Sequence, residues 1–158
     1  MSVKFSVVGI FYNTTVDLSK TGGNTVAAIM DYLYRTDPVF YRTSIVFDNN
    51  QIINMLGALY TNPFKSRSGI TYPAGAYFLS QSFTTPSPNP YSVWQYYLAD
   101  QNNVRQPVPS NRSYTVSTVQ DGWSIVWRLV TIMNGPGNVA KRLKDLEPSL
   151  VASLPGTP

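Results

Sequence analysis

The sequence predicts an α+β fold: a β-sheet packed on one main helix, with a short helix near the C-terminus. Three observations carry that expectation. "TVAAIMDYLYRTDP" places Val26, Ile29, Met30 and Leu33 at i, i+3, i+4 and i+7, one apolar helical stripe. "YSVWQYYLAD" and "SIVWRLVTIM" alternate side chains with the period of a half-buried strand. Gly- and Pro-rich stretches punctuate the runs between them.

Taken in order, "VKFSVVGIFYNTTVDL" is β-rich and broken at Asn13-Thr14-Thr15, as in a hairpin or a bent strand. "KTGGN" then stops the chain. Asn24 or Thr25 can cap the helix, and Pro38 ends it by disfavouring αR at Asp37. "YRTSIVFDNNQIINMLGALY" reads as two strands about Asp48-Asn49-Asn50. Ile52, Ile53, Leu56 and Leu59 also fit a helical stripe, but the β-branched pair tilts residues 51–60 toward a strand.

"TNPFKSRSGITYPAG" reads as a polar loop, anchored by few apolar residues. "AYFLSQSF" is a strand, and the three prolines of "TTPSPNP" exclude regular structure after it. "DQNN" is a turn, "VPSNRSYTVSTV" a short strand, and "NVAKRLKDLE" a short basic helix. The expectation is a single domain over residues 1–147, with an insertion at about 45–73 and a flexible tail over 148–158.

Composition narrows the function classes. The chain has 158 residues, no Cys and no His, which removes disulfides, thiolate nucleophiles, histidine-based triads and the usual zinc sites. Charged residues make up 13%, about half the ~25% of ordinary soluble domains. The net charge of +4 reflects a shortage of acids, and the basic residues are scattered, so a nucleic-acid footprint is disfavoured. No run reaches the ~20 apolar residues of a membrane span. The N-terminus alternates like a strand and lacks a signal-peptide cleavage site, so as written the chain is expected in the cytoplasm, with an extracellular or assembly context left open. No cofactor or metal motif stands out.

Three stretches carry a family resemblance: "NTVAAIMDYL", "VWQYYLADQNN" and "YTVSTVQDGWSIVWRL". Together they resemble the β-grasp family typified by the transcobalamin-like C-terminal domain. The resemblance spans about residues 3 to 132 and implies a β-grasp-like mixed sheet on one helix, with ligand binding as the family's use of it. The chain departs from the pattern at Ala99-Asp100-Gln101-Asn102, where Asn-Gly is expected, and at Trp123, where an Asp is expected.

Trp94, Tyr96 and Leu98 share one face of their strand, as do Trp123, Ile125, Trp127 and Leu129. As neighbouring strands they form a core against the helix. Alternatively, they floor a pocket. In the binding reading the site residues are Trp94, Gln95, Tyr96, Tyr97, Asn102 and Tyr77, with Tyr97 on the strand face turned away from the helix. Eleven tyrosines suit either a recognition surface or an uncharged boundary between core and water.

Three function classes stay open at this point. The first is a non-catalytic module that binds a small molecule, a glycan or a partner through aromatic and amide groups. The second is a cofactor-free cyclase or isomerase with a Tyr/Asp pocket. The third is a self-assembling homo-oligomeric subunit, favoured by low charge and open strand edges.

Overall fold

The computed structural model describes residues 1–47, 50–66, 68–81, 91–107 and 113–132. The chain opens on an antiparallel hairpin, β1 (Ser2–Val7) and β2 (Tyr12–Asp17). Its turn lies at residues 8–11, not at Asn13-Thr14-Thr15, which sit inside β2 opposite Ser6, Phe5 and Lys4. Gly9, at φ 96°, supplies the reversal ahead of the polar triplet. Once in the strand, the triplet follows the pleat: Tyr12 and Val16 are buried and Thr15 faces water.

Helix α1 (Val26–Thr36) forms where its stripe predicts, and Val26, Ile29, Met30 and Leu33 are buried. Thr25 is the N-cap, its hydroxyl accepting the Ala28 N–H at 3.0 Å. The Val26 and Ala27 amides donate to the carbonyls of Ser117 and Tyr114 at 2.9 and 3.1 Å. The donors that begin the helix are therefore engaged within the chain. Thr25→Ala is expected to lose ~1 kcal/mol in urea unfolding. A loss below ~0.3 kcal/mol would show that the two carbonyls secure the first turn alone.

After the helix come β3 (Phe40–Phe47) and β4 (Asn50–Tyr60), an antiparallel pair with a register shift between Thr43 and Ser44. Residues 51–60 are thus strand. The stretch read as a polar loop instead carries a small hairpin, β5 (Phe64–Lys65) and β6 (Thr71–Tyr72). It is not poorly anchored. Phe64 and Tyr72 join Phe11, Tyr60 and Tyr77 in one ring cluster, with Tyr60 stacked on Phe64 at 3.9 Å and the Phe11 ring tilted against Tyr72 at 4.3 Å. Phe11 comes from the first hairpin, far from this stretch in the chain, so the loop's own composition does not show that contact.

β7 (Gly75–Ser80) pairs with β4, giving a three-stranded sheet in the order β3-β4-β7. β8 (Tyr91–Ala99), β9 (Arg105–Gln106) and β10 (Ser124–Ile132) join the first hairpin in a five-stranded sheet, ordered β2-β1-β10-β8-β9. β1 runs parallel to β10, and the other pairs are antiparallel. The result is a mostly-β α+β fold with one main helix, a mixed sheet and smaller sheets.

Residues 113–119 do not form the expected strand. They turn, and Thr118 makes only an isolated bridge to Thr25. The physical reason is their use at the helix start, where their carbonyls accept its first amides. The Pro-rich stretch at 84–90, the basic helix at 138–147 and the tail at 148–158 lie outside the described residues.

The core lies where the helix stripe meets the inner faces of the sheets. Phe5 packs edge-on against Phe40 and Tyr12, with centroids at 5.5 and 6.2 Å. Trp127 opposes Tyr96 and Ile125 opposes Leu98, so the two Trp-bearing strands are neighbours with a shared inner face. The core reading of those strands holds for Trp94, Leu98, Ile125 and Trp127, all of them buried.

Candidate functional site: an aromatic row on the three-stranded sheet

The six residues read as a site from sequence do not converge. Trp94, 8% exposed, belongs to the core, with its indole N–H buried and, among the described residues, without an acceptor. Tyr96 is half-buried on the same face, its ring 5.2 Å from Trp127 and its hydroxyl bonded to Ser117 Oγ. Tyr97 points to the opposite face, as the alternation requires, yet it is 3% exposed and not an open shelf. Its hydroxyl donates to Gln95 Oε1 at 2.8 Å, and the Arg105 guanidinium lies 5.1 Å from its ring centre. Asn102 sits exposed in the turn after β8, its backbone N–H donating to Asp100 Oδ1. Tyr77 is on β7, in the other sheet, within the cluster around Phe11.

A more open aromatic surface lies on the outer face of the three-stranded sheet. Alternation divides each strand. Leu56 and Ala58 of β4, and Tyr77 and Leu79 of β7, turn to the core. Met55, Gly57 and Leu59 of β4, and Ala76, Phe78 and Ser80 of β7, turn away from it. Tyr41, next to buried Phe40, faces outward on β3. Register then aligns Tyr41, Gly57 and Phe78 in one row across the strands.

Gly57 makes that row close-packed. A Cβ at this position would stand 1.9 Å from Phe78 Cδ1. The absence of a side chain on the middle strand lets the Phe78 ring lie across it, 5.7 Å from Tyr41 in an edge-to-face contact. Tyr34, from α1, extends the row with its ring 6.0 Å from Tyr41. Phe78 and Tyr34 remain 40% and 46% exposed, and Leu59 beside them is also exposed.

The row ends at an ion pair. Arg42 Nη2 bonds Asp31 Oδ1, and the guanidinium carbon lies 5.1 Å from the Tyr34 ring centre. At the Met55 end the groups are hydroxyl and amide: Thr43, Asn54 and Ser80. Aromatic planes beside amides and hydroxyls suit contact with neutral polar molecules. Strand period sets the facing of side chains within one strand, but only the pairing of three strands brings Tyr41, Gly57 and Phe78 into one row.

The same structure bears on chemistry. Among the described residues the carboxylate side chains are Asp17, Asp31, Asp37, Asp100 and Asp121, and each is held by local partners. Asp17 accepts from the Ser19 hydroxyl and amide, which hold its carboxyl below the usual range. Asp100 closes its turn by accepting the Asn102 and Val104 amides, and Asp121 accepts the Ser2 amide.

Asp37 is the acid of a Tyr/Asp pair, accepting from Tyr12 Oη at 2.6 Å and from the Val39 amide at 2.9 Å. Burial, and then the bond to Asp37, push the Tyr12 phenol far above its ordinary range. Tyr60 is pushed up to about 12, chiefly by burial. Both phenols therefore stay protonated at neutral pH, and the pair acts as a clasp between the first hairpin and the helix end. Among the described residues no cluster of three or more His, Cys, Asp or Glu could hold a metal ion, and no helix is long and apolar enough to cross a membrane.

Comparison with protein-family models, with curated proteins and with solved structures finds no match to this chain.

Proposed function

We propose that this chain is a non-catalytic binding module, and that the outer face of the three-stranded sheet is its contact surface for a small neutral molecule or glycan. The observation that carries the reading is the Tyr34–Tyr41–Phe78 row, held in place over Gly57 yet left outside the core. Rings fixed by their neighbours lose little freedom on contact, which favours recognition. The engagement of every described carboxylate in turns, caps and pairs supports a binding role over the cyclase or isomerase reading.

The proposal includes a β-grasp-like fold. Its support is a central parallel pair of first and last strands, β1 and β10, flanked by β2 and β8, with the helix following the first hairpin. In this reading the β3–β7 segment is an addition to that framework, and the addition carries the contact surface.

The test is a screen of neutral glycans and small molecules by ligand-observed NMR, repeated with Phe78→Ala. A ligand found with the natural chain is expected to bind the variant more weakly by ~1 to 2 kcal/mol, a modest aromatic contact. Unfolding free energy should fall by less than ~1 kcal/mol, because the ring is already partly in water. A ligand bound equally well by Phe78→Ala and Tyr34→Ala would remove the row from the site.

A further inference from the structure

We infer that the free edge of β7 pairs with β7 of a second copy of this chain, joining two three-stranded sheets into one. The inference concerns the edge of the sheet and not its aromatic row, so either reading can fail without the other.

One side of β7 is paired with Met55–Tyr60 of β4; among the described residues no strand pairs with its other side. Such an edge presents alternating backbone donors and acceptors, a template for another strand. Proteins ordinarily guard it with charges, proline or a bulge. Gly75–Ser80 reads GAYFLS: it has no charge and no proline, and its pairing with β4 shows no register shift. Gly75, Ala76 and Ser80 are exposed.

Charge narrows the choice of occupant. The chain carries +4, so two copies repel unless they meet where charge is absent. Across β3, β4 and β7 the sole charged residue is Arg42, and it is paired with Asp31. A strongly acidic or basic partner finds nothing to pair with on this sheet, whereas a second copy meets no repulsion at the contact.

Symmetry fits as well. An isologous two-fold contact needs a surface that complements itself, and an antiparallel edge does so. An axis through Phe78 sets Ala76 opposite Ser80 of the partner subunit, two small side chains that let the backbones approach. Tyr77 then opposes Leu79 of the partner subunit on the inner side. The Phe78 ring leans the other way, over Gly57, and clears the edge. Pairing over six residues is small for an interface, so the dimer is expected to be concentration-dependent.

Sedimentation equilibrium of the full chain, from low micromolar to near-millimolar concentration, is the test. The mass is expected to rise from 17.6 kDa toward a doubling. Over the same range, amide hydrogen exchange within Gly75–Ser80 should slow. Ala76→Glu/Ser80→Glu should stay monomeric, and so should Ala76→Lys/Ser80→Lys, because each sets like charges across the axis. An equimolar mixture of the two should recover the dimer mass. A natural chain that remains monomeric throughout overturns the inference and leaves the edge to an extended segment of a different protein. Dimers that persist in both charge variants, or a mixture that stays monomeric, overturn it as well.

Discussion

Trp127→Ala is expected to lose ~3 to 5 kcal/mol of unfolding free energy, the range for truncating a large aromatic in a packed core. Trp127 is 2% exposed, at the centre of the five-stranded sheet, opposite Tyr96 on β8. Its ring lies 5.2 Å from Tyr96 and 5.8 Å from Tyr114, so truncation strips packing from a neighbouring strand and from the turn that receives the helix start. Loss of packing there should also loosen the Ser117 and Tyr114 carbonyls that accept the first helix amides.

One feature softens the effect. The Trp127 indole N–H is buried without an acceptor among the described residues, so removing the ring also removes an unsatisfied donor. Trp127→Phe separates the two contributions: it keeps much of the ring and discards the donor, and should cost clearly less than the alanine variant. Urea unfolding followed by far-UV circular dichroism reads both. A loss under ~1 kcal/mol for Trp127→Ala would contradict its place in the core.

Gly57→Ala is expected to lose ~1 to 3 kcal/mol, the cost of forcing added atoms into an occupied space. The backbone at Gly57 is an ordinary strand, so the cost is one of space. The new Cβ would overlap Phe78, at 1.9 Å from Cδ1 and 2.3 Å from Cε1. The ring must swing off β4, and its edge-to-face contact with Tyr41 goes with it. The clash predicts strong coupling: in Gly57→Ala/Phe78→Ala the ring is gone and the methyl fits. The double variant should therefore be more stable than the sum of the single losses by ~1 kcal/mol or more. Additive losses would place the Phe78 ring elsewhere. The same Gly57→Ala variant should weaken any ligand held by the aromatic row, since the row is no longer assembled.

Local periodicity made much of this molecule legible. The helix stripe at Val26, Ile29, Met30 and Leu33 is buried, Thr25 caps it, and the chain leaves it at Asp37. The Trp-bearing strands put Trp94, Leu98, Ile125 and Trp127 inward. Such features follow from the 3.6 and 2.0 periods of the backbone, which any short window of sequence displays. Alternation also assigned Tyr97 to the far face of β8, but could not say that this face is covered: Tyr97 is buried there, bonded to Gln95. Period tells a side chain's direction and is silent on what waits in that direction.

What the sequence by itself determined, then, is the main helix with its buried stripe and the inward face of the two Trp-bearing strands, along with the absence of histidine and cysteine chemistry. Tertiary structure alone decided which strands became neighbours. β1 lies beside β10 from the other end of the described chain, and Phe64 and Tyr72 turn an apparent loop into an anchored hairpin by meeting Phe11. Gly57 reads as an interruption in "NMLGALY"; only with β7 alongside β4 is it the space in which Phe78 lies. The physical reason is the range of the forces involved. Backbone sterics and side-chain period act within a few residues, whereas strand pairing and ring packing join residues that only the folded chain brings together.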